Sequence, residues 1–146
     1  MDTPTVSPTA RLLGGAGLLP QFGALLIQAG SPGLEAGKIA AFGYASLILS
    51  FLGGIWWGLA MRRTQRQRVL VIVAVLPSLV PLALVPVVVF GGWRWGLVGL
   101  AVALMLTLLV DRRLVERGDA PEGWMKLRVP LSGGLAVLTL IAAVLR

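Results

Sequence analysis

Cysteine and histidine are both absent from the 146-residue chain, and charged residues make up only 13% of it. Without cysteine there are no disulfides and no thiol chemistry. Without either residue the usual side-chain ligands of haem, iron–sulfur clusters, copper and zinc are gone. No cofactor and no metal site is therefore expected. Soluble domains carry about a quarter charged residues, so the scarcity of charge argues against that class. Charge is also missing from particular places, because no Asp, Glu, Lys or Arg falls in the middle of any long apolar run. Proton-coupled pumps and many ion-coupled carriers depend on such groups. No Walker loop, nucleophile elbow or metal-ligand spacing is present. With no histidine, no evident base stands ready to activate Ser50 or Ser78 as a nucleophile.

What fills the chain instead is apolar sequence: 57% of residues are hydrophobic and the mean hydropathy is +0.88. Apolar runs cover 12–29, 39–61, 69–90, 95–110 and 129–145. As a helix the 39–61 run reaches ~34 Å, enough for a bilayer core of ~30 Å. The fold class predicted is all-α, a single membrane domain over 1–146 built as a bundle of five transmembrane helices. The first run follows a thin positive region (Arg11 alone) and is long for a signal core, so it is expected to be a retained span. Residues 1–9, with Pro4, Pro8 and several hydroxyls, are expected to be unstructured.

The net charge of +7 could suggest nucleic acid, but the bases fall between the apolar runs, so no nucleic-acid partner is expected. Five spans put the termini on opposite sides. The N-terminus, 62–68 and 111–128 then share one face with ten Lys and Arg, against three (Lys38, Arg94 and Arg146) on the other. The positive-inside rule puts the N-terminus in the cytoplasm and the C-terminus outside.

Four constellations stand out. Ser46, Ser50, Gly54 and Gly58 recur every fourth residue in the second span, a stripe on which another helix could pack closely, each Ser hydroxyl bonding the carbonyl one turn back. The sharper reading of the same stripe is a groove for a lipid tail or quinone walled by Trp56 or Trp57. In the third span Pro77 and Pro81 lack an amide hydrogen and clash with the preceding turn. A bend is expected there, with Ser78 as a donor to freed carbonyls. Asp111 abuts the C-terminal end of the fourth span, where the helix dipole disfavours an acid, so a basic partner is expected from Arg62, Arg63, Arg112 or Arg128. Residues 121–128 mix Trp124, Leu127 and bases, and are expected to lie along the inner membrane interface.

In order along the chain, Tyr44, the Ser50-Phe51-Leu52-Gly53-Gly54 block, Trp57-Gly58, Pro77-Ser78-Leu79, Asp111, Trp124 and Leu127-Arg128 resemble the domain-of-unknown-function family 3429, which includes the transmembrane protein 69-like proteins. The resemblance implies five spans, with bacterial members in the inner membrane and eukaryotic relatives in mitochondria. The family pattern holds a polar or basic residue before the Trp-Gly, where this chain has Trp56. It brings no activity with it. The expected function is that of a non-enzymatic inner-membrane accessory or assembly protein. Its expected partners are membrane lipids, another membrane protein or a second copy of the chain. A small transporter or channel is the alternative, and a lipid-acting enzyme the third reading.

Overall fold

A computed structural model describes residues 5–31 and 33–145, and every regular element among them is an α-helix. Residues 1–4, Pro32 and Arg146 lie outside the described residues, and with them part of the expected N-terminal lead-in and the terminal charge. The helices are α1 (Pro8–Ala16), α2 (Leu19–Gly30), α3 (Ala36–Met61), α4 (Gln67–Gly91), α5 (Trp93–Glu116) and α6 (Trp124–Val144). Together α1 and α2 make one apolar stretch, so five stretches are long and apolar enough to cross a membrane. The all-α bundle expected from the sequence is the observed architecture.

The first stretch is broken for a local reason. Glycines at 14, 15 and 17 hold a helix weakly, and Pro20 cannot donate to the preceding turn. The chain leaves α1 at Gly17, restarts at Leu19, and the Tyr44 hydroxyl donates to the Gly17 carbonyl at the break. Residues 5–9 correct the expectation of an unstructured start. Thr5 and Val6 pair with the backbone of Glu122, Ser7 caps α1 through a bond from the Ala10 amide, and Pro8 takes the first helical turn.

α3 is central and touches α2, α4, α5 and α6. Leu49 from α3 with Leu100 and Leu104 from α5 forms a fully buried middle layer, and Leu97 packs in a second cluster with Ala41 and Ala142. Of the five apolar stretches α4 is the most apolar and the least covered, as expected of an outer, lipid-facing element. Between α4 and α5 the chain turns on Gly92 alone, at φ +87°, a backbone conformation side chains resist.

One expectation is corrected here. The stripe of Ser46, Ser50, Gly54 and Gly58 is not the packing face of α3. Gly54 and Gly58 are exposed with open space around them, while Ser46 and Ser50 are half-buried, Ser46 bonding the Phe42 carbonyl at 2.7 Å. The buried face is Ala41, Ala45, Leu49, Leu52, Gly53, Trp56 and Ala60. Close approach is still made through glycine, one residue earlier: a methyl group on Gly53 would collide with the Ala74 carbonyl oxygen of α4. The third span is a single helix. α4 runs as one helix through Pro77, Pro81 and Pro86; Pro77 and Pro81 are buried, and Ser78 is exposed on another face.

Candidate functional site

Asp111 does not end a helix, as its position after the apolar run suggested. α5 continues to Glu116, so Asp111 sits within the last turns and on the same face as Thr107, one turn earlier. The segment 121–128 contains the start of a helix. Gly123, at φ +80°, starts α6 at Trp124, and Arg128 lies one turn inside it. These two helix ends, with the last turns of α3, bring five polar side chains together.

Asp111 is fully buried, and both of its oxygens are occupied. Oδ2 accepts from Arg128 Nε at 2.8 Å, and Oδ1 accepts from the indoles of Trp56 at 2.9 Å and Trp124 at 3.2 Å. Arg128, itself 5% exposed, donates through Nη2 to Thr107 Oγ1 at 3.3 Å, and that hydroxyl donates to the Leu104 carbonyl at 2.6 Å. Charge-assisted bonds of this sort are the strong ones, and here they tie α3, α5 and α6 together. Of the four candidate bases, Arg128 is the partner. Arg63 pairs with Asp119, Arg112 with Glu116, and Arg62 is exposed.

The expected site residues therefore divide. Asp111, Trp124 and Arg128 converge. Tyr44 tethers the α1–α2 break, and Gly53 and Pro77 pack α3 against α4. Ser46, Ser50, Gly54, Trp57, Gly58 and Ser78 take no part in the cluster. Trp57 is 45% exposed beside the buried Trp56. Thr107 was not singled out from the sequence, and Trp56 was read there only as a possible groove wall. Trp56 joins the cluster through its indole N–H. Thr107 is the one hydroxyl in the α5 apolar run, four residues from an acid, and that spacing was the available signal.

Beside the cluster a lateral cavity of about 380 Å³ opens between α1, α3 and α6. Its walls are apolar, running from Leu13 and Leu18 through Ile48 and Ile55 to Leu131 and Leu135. Polar lining comes from Trp124, Arg128 and Ser132. Ser132 is 2% exposed, and its hydroxyl makes no hydrogen bond. Along α6 the cavity extends from Trp124 to Leu135, ~16 Å of helix. Trp56 and Thr107 line a smaller crevice of about 210 Å³ between α3, α4 and α5.

A second buried polar group lies away from the cluster. Gln21 of α2 donates to Thr139 Oγ1 of α6 at 3.0 Å, and Thr139 donates to the Leu135 carbonyl at 2.7 Å. The side-chain oxygens of Gln21 and of Gln28, one α2 face apart by two turns, accept no hydrogen bond. Among the described residues no three acidic side chains gather in a way that could hold a metal ion.

No curated protein and no solved structure matches the chain. A family model matches residues 6–145, nearly all of it. A bundle of five apolar stretches, tied at its basic end by Asp111 and Arg128, is thus the form taken here by a member of the family described as Protein of unknown function (DUF3429), to which this chain belongs.

Proposed function

We propose that this chain is a non-enzymatic accessory protein of the inner (plasma) membrane that holds one membrane lipid in the cavity between α1, α3 and α6. The reading includes the likeness to transmembrane protein 69-like proteins, and an orientation with the arginine-rich end in the cytoplasm. The observation that carries it is the size and direction of the cavity. It is apolar, opens sideways, and runs ~16 Å along α6, close to half of a ~30 Å hydrocarbon core. That is the reach of one acyl chain in one leaflet.

Holding is favoured over cleaving. Asp111 has both oxygens bonded and no exposure, and Ser132 has no base within hydrogen-bond distance. Holding is also favoured over transport, since Leu49, Leu100 and Leu104 fill the centre of the bundle with fully buried apolar side chains.

Purification in mild detergent followed by native mass spectrometry tests this. One phospholipid per chain is expected to stay bound, and Ala10→Trp at the exposed α1 wall is expected to cut retention by about tenfold. A lipid-free wild-type chain would overturn the reading. A second reading has its own support. Gly54 and Gly58 face outward with open space over them, a surface suited to a helix of another membrane protein or of a second copy.

A further inference from the structure

We propose that the groove between α4 and α5 binds one anionic phospholipid, its phosphate among Arg63, Arg113 and Arg117 and an acyl chain in the crevices below them. This site is separate from the cavity between α1, α3 and α6, and it does not depend on a lipid being held there.

The groove follows from how the two helices pack. Near their turn at Gly92 they approach closely: a methyl group on Gly96 would collide with Val88, and one on Gly99 with Leu84. Beyond Gly99 α5 has no glycine, and toward the arginine-rich end crevices open beside it. The deeper one, about 210 Å³, runs past Leu76, Val80, Ala103 and Leu106. The shallower one, about 110 Å³, is walled by Val69, Leu70 and Leu114. Val73 and Val110 line both, so the crevices adjoin. Along α4 they extend from Val69 to Val80, ~16 Å of helix. Exposed Val69, Leu76 and Leu106 leave the groove open on its lipid side.

The charge at its mouth belongs to residues that line it. Arg63, Arg113 and Arg117 border the shallower crevice, with no acid among its walls. Arg63 and Arg117 also line an open polar pocket of about 550 Å³ with Arg62, Arg66 and Asp119. Asp119 is already paired: Arg63 donates to it through Nε and Nη2, which leaves the Nη1 donors of that guanidinium for a ligand. Of the other acids at this end, Asp111 is buried against Arg128, Glu116 is paired with Arg112, and Glu122 is exposed. None of these lines the groove or the polar pocket. Counting Glu116, Arg112 and Glu122 into the group still leaves it positive.

A positive mouth over an apolar groove suits an amphiphile. Guanidinium groups fork onto phosphate oxygens, and basic pockets between membrane helices are where acidic heads collect. A zwitterionic head would bring its own cation toward the arginines; a phosphate with an uncharged alcohol would not. A phosphate without chains would leave the crevices unmatched.

Native mass spectrometry with phosphatidylglycerol and phosphatidylethanolamine of identical chains tests this, with thermal unfolding in detergent as the check on each variant's fold. The wild type is expected to retain phosphatidylglycerol with about a tenfold preference. Arg113→Gln/Arg117→Gln, at exposed positions, is expected to lose most of that preference. Arg11→Gln/Lys126→Gln removes two exposed bases that line neither the groove nor the polar pocket, and is expected to keep it. Val69→Trp, on the exposed wall, is expected to lower phosphatidylglycerol retention several-fold. Glycerol phosphate, the head without its chains, is expected not to displace the lipid. Ala10→Trp, in the other cavity, is expected to leave the preference intact. Equal retention of the two lipids by the wild type would overturn the proposal. An equal loss of preference in the Arg11/Lys126 variant would do so too, by making the attraction a property of the whole end. Unchanged retention by Val69→Trp, or displacement by glycerol phosphate, would remove the acyl chain from the groove and overturn a lipid as its occupant. Loss of the preference in Ala10→Trp would place the anionic lipid between α1, α3 and α6 instead. If Ala10→Trp changes neither the amount of lipid retained nor the preference, the cavity reading above fails and the groove stands.

Discussion

The two sides of α3 differ in a way their residue types do not advertise. One side, through Ala45, Leu49, Gly53 and Trp56, is buried in a helix that meets four others, and the other, through Gly54 and Gly58, is exposed with open space over it. Both sides carry small residues. What separates them is the company the small residue keeps. Gly53 lies beside Leu49, Leu52 and Trp56, large side chains that fill the space around a close backbone approach. Gly54 lies outside that set. In a bilayer hydrophobicity cannot orient a helix, because lipid is as apolar as leucine, and orientation falls to packing and to polar bonds. Trp56 supplies the polar bond.

Substitutions along α3 should separate its two sides by size of effect. Gly53→Leu is expected to be the most damaging. Its side chain would meet the backbone carbonyl of Ala74, which cannot swing aside, at a cost of ~3 kcal/mol or more, read as loss of cooperative thermal unfolding in detergent. Trp56→Phe is intermediate. It removes one of two indole donors from Asp111 Oδ1 and leaves the Trp124 bond, so about 2 kcal/mol of stability should go, measured by the same unfolding transition. Gly54→Leu should be the mildest, within ~0.5 kcal/mol for the isolated chain. If its complexes in gentle detergent dissociate while the monomer stays as stable as wild type, the outward face is a partner's seat. If the monomer itself unfolds, the contrast between the two sides is lost.

The helices were legible in the sequence because membrane-spanning runs announce themselves by length and by missing charge. The Asp111–Arg128 pair was half legible: the acid's place near a helix end demanded a base, and four bases were within reach in sequence. Choosing among them needed the helix boundaries, and these run past the apolar runs at both α5 and α6. The facing of α3 was not legible. A helix apolar all round gives periodicity nothing to register, and a regular serine–glycine stripe looks the same whether it faces a neighbour or lipid. Trp56 was legible only as a possible groove wall, because its indole donor has meaning only once Asp111 stands across from it. Ser132 and Gln21 carried too little local signal, because their meaning depends on what stands across from them.

Asp111 and its guanidinium partner are 17 residues apart, on consecutive helices. That spacing bears on how the chain is made. As α5 leaves the ribosome it brings a carboxylate to the edge of the bilayer, with its counter-ion 17 residues behind it in the exit tunnel. A helix carrying a bare acid there pays a penalty that the next segment removes. The last two helices are thus suited to enter the membrane as a hairpin, the acid held back at the translocon until the arginine arrives to neutralise it.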